Sequence, residues 1–471
     1  MNVENIMKEV SSEFGKVMPL KIVDDAPSAY FDWESVTLPK RFLDWDDEMI
    51  KNVLRHEFGH LFFSPRNPDV GVVINYIASL FGYENPWLFT NILTDLIVDT
   101  TNMEVFGEEY LRFLERSIEK ADKGRTLRAM AGVYHEKAEK LNLKTSLPKN
   151  HIGKEIYKIL NNNETDFYLR VIEIAKLFLP YYDFQTPLHF RILIFSDGSP
   201  AEIAKSLIKV KVGSDVMDEL RRLAGERGGF LLSDPVMVAY EKMKIVSTYL
   251  ELEESMEGME SKQINYGPWS IGDEPYELDM TKTLTSYGIV LPGVYSTKSE
   301  SIDMGNEREG KSYRDSMIIL DCSGSMEGEP FERAREAAYV MAREIQKAGK
   351  KVGLIPFSGY VIEDRVVYPT TDSSRLNDIL ARIKPRGGTM LQYALQFALQ
   401  FGKEYYVYIL SDSDVYDVRS TEELLDEFRG RCTFFLITYE EVNRWFEKDG
   451  IKIVEISPDG IVKRAYEEVK K

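Results

Sequence analysis

Apolar positions recurring every three to four residues predict amphipathic helices along the first half of the chain. The pattern gives a helix over about 2–16, then extended pieces around Leu20–Val23 and Ser35–Leu38. Helical stretches follow near 45–63, 69–81 and 86–106. Residues 119–254 are mostly helical, with amphipathic runs such as Glu155–Asn161 and Asp166–Phe178. Residues 255–314 hold Gly, Ser, Pro and scattered Tyr without a period, the composition of a long connector. Beyond Ser316, short apolar runs alternate with helical patterns. Met317–Leu320, Lys351–Phe357, Tyr405–Leu410, Thr433–Thr438 and Lys452–Ile456 are predicted strands, with Val361–Val367 as a partner strand. Pro330–Lys347, Ser374–Ile383 and Met390–Phe401 are the helices between them. That alternation predicts a doubly wound α/β domain. The expected division is an α+β domain at 1–118, a helical domain at 119–254 completing or covering its cleft, a connector at 255–314, and the α/β domain at 315–471.

Composition narrows the function classes. No apolar run reaches the ~18 residues of a membrane span. The opening MNVENIMKEVSSEFG carries acids and no apolar core, unlike a secretory leader, so a cytoplasmic protein is expected. A formal net charge of -18 argues against nucleic acid as the main partner, since phosphates need clustered Lys and Arg. The two cysteines, Cys322 and Cys432, do not form a CxxC pair and are expected to be buried, reduced thiols.

Chemistry concentrates first at His56-Glu57-Phe58-Gly59-His60. Asp44 is placed to cap this helix, with Asp46, Asp47 and Glu48 favourable in its first turn. His56 and His60 stand one turn apart and point the same way, so both imidazoles can hold one ion. Glu57 lies about 100° round the helix, in reach of a water at that ion. Two nitrogen ligands, an open position and a base are what zinc hydrolysis needs. A further ligand is expected from the helix 86–106, with Asn85 as cap, Pro86 in its first position and Gly107 at its end. Its interior is nearly all apolar, yet it carries Asp95 and Asp99 on one face. Burying two carboxylates without partners is costly, and a cation or a cation-bound histidine resolves that cost. Asp95 is assigned as the third zinc ligand and Asp99 as the acceptor of a histidine N–H, with the reverse assignment open.

This segment resembles the zincin metallopeptidases of the gluzincin-like type. There a second helix carries an acidic ligand, and an Asp one turn later supports a zinc-bound histidine. Ala29-Tyr30-Phe31-Asp32 and Thr37-Leu38 resemble the edge strand that precedes the HExxH helix and pairs with substrate backbone. The departure is Asp95, where most gluzincins have Glu. The resemblance covers about 120 residues and implies a Zn²⁺ site with Glu57 as the catalytic base. Tyr134, Tyr181, Tyr182 and His189 are candidates to polarise a substrate carbonyl. His135-Glu136 suits a solvated helix face, and Phe195-Ser196-Asp197-Gly198 a turn.

The second concentration lies in the α/β domain. Asp321, Ser323, Ser325, Thr389 and Asp412 all fall just past strand ends or in the loops there. Ligands of open parallel sheets collect at that edge. Hydroxyls, carboxylates and waters make an all-oxygen site suited to Mg²⁺ or Mn²⁺. The order DxSxS, then Thr after glycines, then Asp at a strand end resembles the metal-ion-dependent adhesion site of the von Willebrand factor A family. The resemblance implies direct ligation by Ser323, Ser325 and Thr389. It places Asp321 and Asp412 largely behind water and leaves one position for a partner's carboxylate. Ser413-Asp414 stands where many members have Gly, which adds Asp414 as a further acceptor.

Together the two segments resemble intracellular bacterial and archaeal proteins that join a metallopeptidase-like domain to a C-terminal A domain. That resemblance implies a zinc endopeptidase whose A domain recruits a protein partner or substrate. The alternatives are a non-catalytic adaptor of a MoxR-type AAA+ ATPase and a metal-insertion factor. The connector, with Tyr266, Trp269 and Tyr287, is long enough to dock over the cleft and occlude it.

Overall fold

The structure is a computed structural model describing residues 3–24, 26, 28–31, 34–63, 67–120, 124–183, 199–225, 234–257, 264–268, 297–301, 313–412, 414–438 and 449–470. The chain forms two compact units, Met1–Glu226 and Arg227–Lys471. Helices expected as one region at 119–254 are divided between them.

The first unit joins a small sheet to a set of helices. Strands β1 (Leu20–Val23), β2 (Tyr30–Phe31) and β3 (Val36–Pro39) run in the order β1-β3-β2. β1 is parallel and β2 antiparallel to β3. Tyr30 and Phe31 therefore lie at a sheet edge, while Thr37 and Leu38 belong to the buried central strand; Asp32 lies outside the described residues. The helices are α1 (Val3–Glu13), α2 (Asp47–Phe62), α3 (Pro68–Leu80), α4 (Pro86–Lys120) and α5 (Arg125–Lys140). They continue with α6 (His151–Leu160), α7 (Phe167–Phe178), α8 (Pro200–Lys209) and α9 (Ser214–Gly225). α4 packs against both α2 and α5.

Two local expectations change. Asp46, not Asp44, caps α2: its carboxylate accepts the Met49 N–H at 2.8 Å. Asp44 is taken up by the 3-10 turn Lys40–Asp44, whereas Asp46 holds the extended backbone a cap requires. Gly107 does leave helical geometry, at φ 62 and ψ -132, but the chain resumes a helix at once, so α4 is kinked there. A side chain disfavours positive φ, which is why the break falls on glycine.

The second unit is built on a six-stranded sheet. Its strands are β6 (Ser316–Asp321), β7 (Val352–Phe357), β8 (Val367–Thr370), β9 (Tyr406–Ser411), β10 (Cys432–Ile437) and β11 (Ile451–Ile456), after a separate antiparallel pair, β4 (Ile264–Pro268) and β5 (Thr297–Ser301). The order is β11-β10-β9-β6-β7-β8, with β8 antiparallel to β7 and the other pairings parallel. Chain order reverses between β6 and β9, which makes that junction the switch point of a doubly wound sheet. β6 is buried throughout because both faces of the sheet are covered. The expected strand Val361–Val367 is mostly a bridge at Val361 and a 3-10 turn over Glu363–Arg365, and pairing begins at Val367. Charged Glu363 and Asp364 are exposed in that turn, where a sheet edge would have brought them against β7.

Helices α10 (Pro235–Glu257), α11 (Glu329–Lys347), α12 (Ser373–Arg382), α13 (Leu391–Leu399), α14 (Val418–Leu425) and α15 (Pro458–Val469) complete the unit. Met317, Ile319, Phe357, Leu391, Leu395 and Phe434 belong to one shared core. α10 packs on α11 and α12, and polar contacts join them. Arg335 donates to Glu241 at 2.8 Å, both side chains buried, and the Tyr249 hydroxyl donates to Glu344 at 2.8 Å. Cys322 and Cys432 are buried and free. Tyr266 belongs to β4; Trp269 and Tyr287 lie outside the described residues. Among the described residues no helix is long and apolar enough to cross a membrane.

Candidate metal centres

In the first unit, α2 supplies His56 and His60 and α4 supplies Asp95 and Asp99. The residue that brings the two helices together is Gly59. A β-carbon there would meet Val98 Cγ1 at 2.5 Å and Asn102 Nδ2 at 3.0 Å. Its absence lets α4 lie close, and Asn102 then donates to the Arg55 carbonyl at 3.2 Å. Arg55 is buried and adds a clamp. It donates twice to Glu13 of α1, at 2.6 and 2.7 Å, and once to Glu109 beyond the kink, at 2.8 Å. Its guanidinium lies 4.0 Å from the Phe106 ring centroid.

The three expected ligands converge. His60 Nε2 stands 3.0 Å from His56 Nε2 and 3.3 Å from Asp95 Oδ1, and His56 Nε2 stands 3.6 Å from Asp95 Oδ1. Donors about 2.0–2.1 Å from a tetrahedral ion stand roughly 3.3 Å apart, so this triangle fits zinc without rearrangement. These are the residues that group as a potential metal site among the described ones. Asp99 faces the other side of His56, with Oδ1 2.7 Å from Nδ1. The Tyr110 hydroxyl donates to Asp99 Oδ1 at 2.7 Å and the Tyr134 hydroxyl to Oδ2 at 2.6 Å. Three donors thus occupy Asp99, which suits it to orient His56 rather than to bind an ion. The kink at Gly107 returns Tyr110 to this carboxylate.

Burial governs the electrostatics. His56, Glu57, His60, Asp95 and Asp99 are all at most 4% exposed. Burial pushes Glu57 up to about 8, helped by Asp95 and Asp99 and opposed by His56. Among the described residues its Oε1 is buried with no hydrogen-bond partner, as is His60 Nδ1. Burial lowers His60, and the neighbouring His56 adds to that. For His56 burial alone would lower the imidazole, but Asp99 and Asp95 outweigh it and raise it well above its ordinary range. Burial would raise Asp95, yet His56 and His60 hold it low. Burial and the Asp99 charge raise both Tyr110 and Tyr134 well above the usual range, so each stays a hydroxyl donor.

The other first-unit candidates fall elsewhere. Tyr134 is committed to Asp99 and is not free to polarise a carbonyl. The Tyr182 hydroxyl donates to the Asn85 carbonyl at 2.7 Å, and Tyr181 is exposed. His135 is mostly buried, with Nδ1 2.8 Å from the Leu147 carbonyl, so it fastens a loop rather than facing solvent. His189 and Phe195-Ser196-Asp197-Gly198 lie outside the described residues. Gly59, Tyr110 and Arg55 carry no ligand chemistry in the sequence. The available signal was a glycine inside a helix, normally disfavoured by about 1 kcal/mol.

In the second unit, Asp321 and Asp412 end or follow β6 and β9, the strands flanking the switch point. Asp321 Oδ1 accepts the Ser323 N–H at 2.9 Å, and Oδ2 accepts the Ser411 hydroxyl at 2.5 Å. Ser323 Oγ and Ser325 Oγ are 3.0 Å apart. Neighbouring ligands of an octahedral Mg²⁺ with bonds of about 2.0–2.1 Å stand roughly 2.9 Å apart, so the pair fits. The Gly324 N–H donates to the Gly387 carbonyl at 2.8 Å, which ties this loop to the one bearing buried Thr389. Gly387 sits at φ +87, a conformation glycine adopts freely. Asp412 Oδ1 accepts the Asp414 N–H at 3.0 Å; Asp414 itself is exposed, and Ser413 lies outside the described residues. Burial raises Asp321 to about 7, offset by Ser411 and increased by Asp412.

Residues 316–414 match the family model of the von Willebrand factor type A domain. A von Willebrand factor type A domain is present here. The match takes in Asp321, Ser323, Ser325, Thr389 and Asp412, so all five expected positions belong to the A domain. Such domains commonly mediate protein–protein interaction and hold a divalent metal. The crystal structure of conserved hypothetical protein BatB from Bacteroides thetaiotaomicron is similar at 15% identity. That similarity covers 33% of this chain and 98% of BatB, with a TM-score of 0.26. No curated protein matches the chain.

Proposed function

We propose that the first unit is a zinc-dependent endopeptidase and that the A domain recruits a protein partner or substrate through Mg²⁺. The observation that carries the peptidase reading is the triangle of His56 Nε2, His60 Nε2 and Asp95 Oδ1 beside buried Glu57, whose Oε1 has no hydrogen-bond partner among the described residues. His56, His60 and Asp95 would hold the ion, and zinc when bound supplies Lewis acidity to the scissile carbonyl and its attacking water. Asp99 orients His56 by accepting its Nδ1–H, which would turn the Nε2 lone pair toward a bound ion. Glu57, ionised beside a bound cation, would accept the proton of the attacking water and return it to the leaving amine. β2, at the end of the strand order β1-β3-β2, is the place where an extended substrate would add as a strand.

The A domain would bind an acidic side chain of its partner at the Ser323, Ser325 and Thr389 site, with Asp321 and Asp412 behind it. A second reading has one observation in its favour: every group of the first centre is enclosed. In that reading the unit is an inert scaffold, and the protein is an adaptor of a MoxR-type AAA+ ATPase or a metal-insertion factor. Glu57→Gln separates the two. The peptidase reading expects one zinc per chain retained and peptide turnover abolished. Turnover unchanged in Glu57→Gln, or wild-type protein that retains no zinc when offered it, overturns the peptidase reading. Partner capture that survives Glu57→Gln but fails in Asp321→Ala is expected of the A domain.

A further inference from the structure

A cavity of about 420 Å³ opens in the first unit between α2, α3, α4, α6 and α7. Phe63, Val70, Leu93, Ile97, Val171 and Ile174 supply most of its apolar wall. Leu93 and Ile97 lie about 200° round α4 from Asp95 and Asp99, so the cavity opens on the side turned away from the metal centre. Its size falls within the range of sites that enclose small ligands.

Among the described residues one charge borders this wall, the Arg170 guanidinium. Of its five N–H groups, Nη1 donates to the Leu160 carbonyl at 2.6 Å, while Nε is buried with no acceptor. The group lies 5.9 Å from the Phe167 ring centroid. No carboxylate among the described residues pairs with it. Two acids on the adjoining elements, Asp166 and Asp69, are already engaged, and Glu164 and Glu173 are exposed. Asp166 accepts the Tyr168 N–H at 2.7 Å. Asp69 accepts the Ser206 hydroxyl at 2.6 Å and lies 3.5 Å from Lys209. In a chain with 77 acids against 59 Lys and Arg, a half-buried arginine with no anion among the described residues calls for one. Apolar walls lower the local dielectric and strengthen its attraction for an anion.

We infer that the cavity binds a fatty carboxylate, its chain along the apolar wall and its head on Arg170. The wall itself decides between a free fatty acid and the C-terminus of an apolar peptide, which share that chemistry. Among the described lining residues, only Tyr168 and Arg170 end in polar groups. Peptide amides laid there would lose water without gaining partners. A hydrocarbon chain carries no such groups.

Calorimetric titration of the full chain with decanoate, decanol, decyltrimethylammonium and acetyl-Ala-Leu-Leu tests this. Decanoate should bind at least about tenfold more tightly than decanol, because a charge-assisted hydrogen bond is lost in the alcohol. The ammonium should bind most weakly. Arg170→Leu should bring decanoate down to the level of decanol with an unchanged circular dichroism spectrum. Val171→Trp should fill the cavity and remove both. Equal binding of decanoate and decanol, or no effect of Arg170→Leu, overturns the inference. Tighter binding of the peptide than of decanoate overturns the choice of a free fatty acid.

Discussion

Gly59→Ala tests the account of the first metal centre most directly, because it adds one methyl group and touches no ligand. The new β-carbon would stand 2.5 Å from Val98 Cγ1 and 3.0 Å from Asn102 Nδ2. Val98 is fully buried and β-branched, so it has little freedom to turn aside. Relief then requires α2 and α4 to separate by roughly 1 Å, given ordinary carbon contacts of about 3.5–4.0 Å. Overpacking of this kind costs about 1–3 kcal/mol. The gain in helix propensity from Gly to Ala offsets about 0.8–1.0 kcal/mol. A net loss of about 0–2 kcal/mol follows, equivalent to about 2–4 °C in Tm for each kcal/mol in a unit of this size. The larger effect should be on the metal. Moving α4 draws Asp95 from the histidines and Asp99 from His56, and loss of such support costs about 10–100-fold in affinity. The assay is zinc competition against a chromophoric chelator, beside a thermal melt of the metal-free protein. Val98→Ala placed on Gly59→Ala should restore much of the affinity, as a coupled pair does. Unchanged zinc affinity in Gly59→Ala would refute the claim that this glycine sets the distance between the helices.

Other outcomes follow from the same contacts. His60→Ala and Asp95→Ala should each lose the zinc measured by elemental analysis of purified protein, while Tyr110→Phe and Tyr134→Phe should retain it with affinity lowered by up to about tenfold. In the A domain, Asp321 titrates near 7 in the fold against an ordinary 3.8. Folding therefore favours its protonated form, and that stability is present below pH about 4 and is lost as pH rises through 7. Mg²⁺ favours the ionised form, so it should raise Tm more at pH 7.5 than at pH 5.5, and Asp321→Asn should remove most of that difference. Glu241→Ala strands the buried Arg335 guanidinium and should destabilise the second unit by about 3–5 kcal/mol in urea melts. The paired change Glu241→Leu with Arg335→Met should cost much less.

The sequence by itself determined the local chemistry of both centres. Helical spacing put His56 and His60 on one face, and buried strands ending in polar loops put Asp321, Ser323, Ser325, Thr389 and Asp412 at one sheet edge. These follow from periodicity, a property of neighbouring residues. Two carboxylates in an apolar helix were also legible as groups needing partners. What tertiary structure decided is which groups meet. Asp99 gathers His56, Tyr110 and Tyr134 because α4 bends at Gly107 and packs beneath α5, and no local pattern encodes either event. The commitment of Tyr134 to Asp99 removed it as a candidate for carbonyl polarisation. The choice of Asp46 over Asp44 as cap depended on the backbone of a turn started from β3. The docking of α10 includes the buried pair Arg335 and Glu241, 94 residues apart, which in sequence are two ordinary charges. Spacing along a chain fixes what a helix or strand presents; only packing fixes what it is presented to.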